Sequence, residues 1–480
     1  MKPQPAVKSY FFGKGYRDLF KTMKDSWKMN LASAANYWGK TQDCWHESHL
    51  SKFLCVVTVF SALSIVVFGT LWFVALSLVH TVILGLFFLP IYLSFSFLWC
   101  VERAHMLFRG IFTACPRCHH KSDLPHYLCP QCKVVHTRLI PSSYGILERV
   151  CNCGYELPCF FPQRRTRLKD YARCPDLDCH HMLRTEEATP ICIPIVGGPS
   201  VGKTCYLFSA TYDFLKHVAP RKNWKTRFLN TQNEKLYERV LEDFKKGIVP
   251  AKTVELNPTA FNFFITSTKW SPEKLIYFYD AAGEAFQSDD NLVGHQFYGY
   301  LHGFLFIIDP FSIPGIFDKY RDSMKLYDPG IKPSEMMLED AFNTMIRNLE
   351  KNHKIRRDEQ IDKPCAVVIN KVDAFDLEEV IGREGAKKRM INDPSIKDIS
   401  EAVDSLCKEL FTNQWGLGNF LRLMDSRFRT YRFFTCSALG RSPNRSVKAF
   451  RPYRVREPLE WLLAEADRNL RRDLQKNKKF

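Results

Sequence analysis

The segment Gly197-Gly198-Pro199-Ser200-Val201-Gly202-Lys203-Thr204 places a glycine, four residues, then Gly-Lys-Thr. At that spacing a backbone can curl its N–H groups around a phosphate chain while a lysine and a hydroxyl reach it from the same turn. The apolar stretch Ile191–Val196 precedes it and a helical pattern follows, so the loop lies where a strand feeds a helix N-terminus, whose positive end favours an anion. Lys203 is the candidate for the β- and γ-phosphates and Thr204 for Mg²⁺, with Gly197, Ser200, Val201, Gly202 and Cys205 completing the nucleotide-binding set.

Three further elements end other apolar runs. Asp280-Ala281-Ala282-Gly283 follows Leu275–Tyr279; Asp280 would hold Mg²⁺ through water, and the Gly283 amide would sense a γ-phosphate. Asn370-Lys371-Val372-Asp373 follows Ala366–Ile369, and Asp373 can accept two hydrogen bonds from guanine N1–H and its exocyclic amine, a pattern adenine does not offer. Asn370 braces that loop and the Lys371 stem covers the base. Ser437-Ala438-Leu439 follows Tyr431–Cys436 as the last base-contacting loop. A DxxG or Ser-Ala match alone is usually a plain turn. Four elements in order, at strand ends of one open sheet, select GTP and its product GDP.

Hydrolysis has fewer residues behind it. Glu284 stands directly after Gly283, where a glutamine often orients the attacking water. With Lys203 and Gly283 it makes the candidate catalytic set, and a surface switch residue is the equal alternative. No arginine finger stands out among 68 Lys+Arg, so an activating protein or a second G domain is an expected partner. For the switch threonine on Mg²⁺, Thr253 is preferred to Thr259. The stretch Asp309–Met336, with its prolines and glycines, reads as a second partner-binding loop.

Eight of the 17 cysteines stand in close pairs between 115 and 179. In a reducing compartment such pairs are metal ligands rather than disulfides. Cys115-Pro116-Arg117-Cys118 and Cys129-Pro130-Gln131-Cys132 have zinc-ribbon spacing and are read together as one Zn²⁺ site. Cys151, Cys153, Cys174 and Cys179 are read as a second, with Cys159 or His180 as substitutes. Neither set leaves an open position for catalysis, so both are structural. The basic run 163–169 reads as a solvated loop, with phosphate or anionic lipid contact as the alternative.

Residues 53–101 contain no Asp, Glu, Lys or Arg over 49 residues. That is about twice what one helix needs to cross a bilayer core, so two spans with a turn between Ala75 and Gly85 are expected. Residues 1–52 hold nine Lys/Arg, and Arg103, Arg109 and Arg117 follow the run, which places both termini in the cytoplasm and the protein in the inner (plasma) membrane. Residues 16–38 have an amphipathic helical pattern, equally suited to the lipid interface or to packing on a soluble domain. The net charge of +17 fits lipid head groups and nucleotide as anionic partners, with nucleic acid ranked behind them.

The elements that must position these residues follow from periodicity. From 188 onward apolar strands alternate with amphipathic helices, predicting an α/β G domain with a mainly parallel sheet covered on both faces. The expected organisation is a basic segment (1–52), a transmembrane hairpin (53–101), a zinc-ribbon module (102–187) and the nucleotide domain (188–480). On GGPSVGKT, DAAGE, NKVD and the preceding cysteine ribbons, the chain resembles bacterial TRAFAC-class P-loop GTPases, in particular the double-GTPase group of predicted conflict systems, over about 102–475. That resemblance implies a regulatory switch, a second GTPase as partner or a nucleotide-dependent dimer, and a setting in defence or stress signalling. A nucleotide-binding membrane scaffold without turnover and a membrane-remodelling GTPase are the competing classes.

Overall fold

The computed structural model describes residues 4–9, 14–45, 49–109, 112–115, 118, 120–122, 124–176, 178–183, 188–249, 259–280, 301–327, 331–353, 359–440 and 450–475. Thr253, Gly283 and Glu284 lie outside the described residues, as does the side chain of Asp280. The chain divides into two compact units: Met1–Phe108, Leu124–Arg173 and Met182–Glu186 form the first, and Arg109–Asp123, Cys174–His181 and Glu187–Phe480 the second.

In the first unit α1 (Lys14–Trp45) precedes α2 (His49–Arg109), one helix of 61 residues. Its continuity corrects the expected turn between Ala75 and Gly85. Within that interval Thr81 returns its hydroxyl to the Ser77 carbonyl at 2.7 Å, a bond internal to the helix. Pro90 also lies within the helix, and Ser94 donates to its carbonyl at 2.8 Å. Large apolar side chains such as Phe60, Phe68, Trp72, Leu86 and Phe97 are exposed along α2. The first half of α2 carries α1 antiparallel on one side, with the Trp27 and Phe73 rings 5.0 Å apart and the Thr41 and Thr58 hydroxyls 2.8 Å apart. Gly69 is needed for this approach, since a Cβ there would meet Asn30 Oδ1 at 2.3 Å.

The rest of this unit is small: an antiparallel sheet of four short strands, a two-stranded hairpin at 148–158, and α3 (Phe161–Arg167). The basic run is therefore not a solvated loop. Arg164 is 1% exposed, pairs with Glu102 near the end of α2 at 2.5 Å, and donates to the Leu139 and Cys159 carbonyls. A guanidinium fork can satisfy several acceptors at once, which is what lets this cation be buried.

The second unit is built on seven strands: β1 (Ala188–Val196), β2 (Lys225–Phe228), β3 (Thr259–Ser267), β4 (Trp270–Asp280), β5 (Phe304–Ile308), β6 (Cys365–Ile369) and β7 (Tyr431–Thr435). Their order is β2-β3-β4-β1-β5-β6-β7, parallel from β4 to β7. The β2-β3-β4 edge is antiparallel, because β3 and β4 are joined through Thr268 and Lys269 alone. Strands β1, β5 and β6 send alternate residues into two separate cores. One holds α4 (Lys203–Asp213), α5 (Thr231–Lys246) and α9 (Arg456–Ala466), as in Phe208, Phe244 and Leu462. The other holds α6 (Pro314–Tyr327), α7 (Leu338–His353) and α8 (Ile399–Asn413), as in Tyr320, Phe342 and Phe411. Burial on both faces explains the nearly continuous apolar runs of the central strands.

Candidate functional site

Strand β1 ends mid-sheet, and the residues that follow turn through left-handed backbone, with φ of 153° at Gly197, 61° at Ser200 and 90° at Gly202. A Cβ at Gly197 would meet the Ile307 carbonyl oxygen at 2.5 Å, and one at Gly202 would meet Asn370 Nδ2 at 2.6 Å. The loop feeds α4, whose first residues are Lys203, Thr204 and Cys205. Lys203 is 7% exposed, and its ammonium donates to the Gly197 and Gly198 carbonyls at 3.1 and 2.9 Å. The amine thus lies within the loop that its chemistry would serve.

The other elements come to the same edge of the sheet. Asp280 ends β4, and its backbone is in register with Ile195 of β1. Asn370 follows β6 and is 2% exposed. Its Nδ2 donates to the Val201 carbonyl at 3.0 Å, and its Oδ1 accepts from the Ala438 N–H at 3.0 Å. Ser437, Ala438 and Leu439 are buried after β7, with the Ser437 hydroxyl accepting from Gly440 N–H at 2.9 Å. Asp373 is exposed beside them. Lys371 pairs with Asp309 at 2.7 Å and donates to the Ser200 carbonyl at 3.1 Å. Sequence reasoning missed Asp309 as a site residue. It ends β5 as the other motifs end their strands, but a single aspartate has no spacing to mark it.

All eight paired cysteines form clusters, in a pairing that differs from expectation. Cys115, Cys118, Cys174 and Cys179 form one group, and Cys129, Cys132, Cys151 and Cys153 the other; Cys159 and His180 belong to neither. Along the sequence the second, inner group falls between the two pairs of the first, outer group. Sulfur–sulfur distances are 3.7 Å for Cys115–Cys179, 3.5 Å for Cys118–Cys174 and 3.6 Å for both Cys129–Cys153 and Cys132–Cys151. Four thiolates at ~2.3 Å from a tetrahedral Zn²⁺ stand roughly 3.8 Å apart, so each group could hold such a metal. Each pair sits on its own tight turn, closed by hydrogen bonds such as Cys129 N–H to Val134 O at 2.9 Å and Cys174 N–H to His181 O at 2.8 Å.

No curated protein matches the chain. Among solved structures, the Arl6/BBS3 small GTPase of Trypanosoma brucei with a bound nucleotide analogue is similar at 13% identity and a TM-score of 0.23, covering 58% of this chain and 99% of that one. The GDP-bound RocCORdC portion of Roco2 from Methanosarcina barkeri is similar at 12% identity and a TM-score of 0.22, covering 61% of this chain and 51% of that one. Residues 191–408, which run from within β1 through the base loop into α8, match the family described as Double-GTPase 2. Over this stretch the chain is similar to the double-GTPase group of P-loop GTPases.

Proposed function

We propose that the protein is a membrane-attached GTPase switch, which binds GTP with Mg²⁺, hydrolyses it to GDP and phosphate, and presents different surfaces to a partner in the two states. The observation that carries this reading is the Asn370 side chain, which ties the phosphate loop, its own loop and the Ser437–Leu439 loop into one frame. In that frame the loop N–H groups and Lys203 take the phosphates, Thr204 and Asp280 hold Mg²⁺, and Asp373 reads guanine. Thr253 completes the metal shell, and Glu284 beside Gly283 aligns the attacking water. A second GTPase domain supplies the charge stabilisation this chain lacks among its assigned motifs.

Helix α2 is long and apolar enough to cross a membrane between Phe53 and Phe108. At ~1.5 Å per residue its 56 apolar-segment residues reach about 84 Å, well beyond a bilayer core of about 30 Å. Lipid therefore covers part of α2, and the nucleotide unit faces the side that supplies GTP and keeps thiols reduced. Zn²⁺ in the two cysteine groups has a structural role, holding segments with little core of their own.

The test is nucleotide binding and phosphate release by the full-length chain in detergent with Mg²⁺, comparing wild type with Lys203→Ala. Selective GTP binding lost in the variant, with phosphate release by wild type, is the expected result. GTP binding without phosphate release, even with a partner present, would leave a scaffold. No binding at all would remove the nucleotide reading.

A further inference from the structure

Lys371 follows β6 with φ of 59°, a left-handed backbone that a non-glycine residue keeps only where its surroundings hold it. An ammonium has three donors, and all three are engaged here. They go to the Ser200 carbonyl at 3.1 Å, the Lys332 carbonyl at 3.1 Å and Asp309 Oδ2 at 2.7 Å. Asp309 is fully buried at the end of β5. Its Oδ1 accepts from Phe311 N–H at 3.1 Å, and its Oδ2 accepts also from Ser334 N–H at 3.1 Å. One buried carboxylate therefore holds the base-loop lysine and the connection preceding α7 at a single point. That connection presses on the phosphate loop: a Cβ at Gly198 would stand 2.6 Å from Ser334 Oγ and 3.3 Å from Met336 Cβ.

We infer that Asp309 is a positioning residue for guanine nucleotide, acting through Lys371. A carboxylate this deep is tolerable only with its cation, and among the described residues Asp309 is the anion that Lys371 meets. Asp309 thereby fixes the lysine stem across the mouth of the site, where it covers the base. The inference rests on the GTP-binding reading above.

The test measures release of fluorescent GDP from the full-length chain in detergent for wild type, Asp309→Asn, Lys371→Met and the double variant. Asparagine keeps a carbonyl oxygen for only one of the Phe311 and Ser334 N–H groups, so the nucleotide-free protein is expected to melt lower than wild type yet fold, while GDP leaves about tenfold faster or more. Lys371→Met and the double variant are expected to match it, because a residue acting through Lys371 has nothing to add once Lys371 is gone. Wild-type release from Asp309→Asn, or accelerations that multiply in the double variant, would overturn the inference. If Asp309→Asn does not fold, the double variant, which removes both charges together, is compared with Lys371→Met alone; faster release from the double variant is the overturning result. Failure of wild type itself to bind guanine nucleotide would be distinct, and would remove the GTP-binding reading along with this one.

Discussion

Asn370 Nδ2 lies 3.0 Å from the carbonyl oxygen of Val201, joining two loops 169 residues apart. Because its Oδ1 also takes the Ala438 N–H, truncation would orphan a buried acceptor and a buried donor at once. At ~1–3 kcal/mol for each unsatisfied group, Asn370→Ala is expected to cost about 2–4 kcal/mol of stability and to weaken GTP more than it weakens the fold. Denaturant unfolding with and without nucleotide checks this: equal losses in both would mean that Asn370 braces the fold and not the site.

Asp373 is exposed at the same edge. Asp373→Asn replaces two acceptors with one acceptor and one donor group. It is expected to weaken GTP by roughly a hundredfold or more and to shift preference toward xanthosine triphosphate. Competition binding with the two nucleotides reports the exchange; an unchanged preference would remove Asp373 from base recognition.

The nested cysteine pairing has an arithmetic signature. Wild type is expected to hold two zinc ions per chain, and Cys118→Ser and Cys174→Ser one each. Combining those two should still leave one, because both ligands belong to the same group, whereas Cys118→Ser with Cys151→Ser should leave none. Metal analysis of the purified chains separates this from the sequential pairing, for which the outcomes differ: there Cys118→Ser with Cys174→Ser would empty both sites.

How much of this was legible in the residues depended on whether a neighbour announced itself by spacing. Lys203, Asn370 and Ser437 were legible because their motifs are short and each closes an apolar strand. Asp309 does the same, but alone. The six apolar strands were readable from their runs, whereas β2 is four residues of Lys-Thr-Arg-Phe with alternate exposure and no apolar run to betray it. Four cysteine pairs admit three connectivities, and spacing along the chain does not choose among them. The continuity of α2 was hidden for the opposite reason. An all-apolar segment gives no periodic signal, so Ser77, His80 and Thr81 read as a turn when Thr81 is satisfied within the helix.

Arg164 and Glu102 are 1% and 5% exposed, so removing either partner strands a buried charge. Arg164→Ala is expected to destabilise the first unit by about 3–5 kcal/mol, and the double change Glu102→Leu with Arg164→Met by much less. Unfolding followed by a probe in the metal-binding region reads both; equal losses would mean the pair matters for packing and not for charge.

His302 gives the nucleotide unit a pH dependence. Its Nδ1 accepts from Cys192 N–H at 3.1 Å, and burial, with Lys363 and Lys121 nearby, pushes the imidazole down to about 4. The unfolded chain, with an ordinary histidine near 6.5, binds more protons throughout that interval. Stability is thus complete above about 6.5 and falls as pH drops toward 4, by roughly 1–2 kcal/mol at pH 5. His302→Gln, which can still accept from Cys192, is expected to flatten that part of the stability–pH curve.

The nested connectivity also sets a timetable for a chain emerging from the ribosome. The inner group is complete once Cys153 has been made, whereas the outer group waits for Cys179, whose partner Cys115 was made 64 residues earlier. By then only a short stretch separates the growing end from Ala188, where β1 begins. The last thiolate of the outer group thus arrives just before the first strand of the nucleotide sheet.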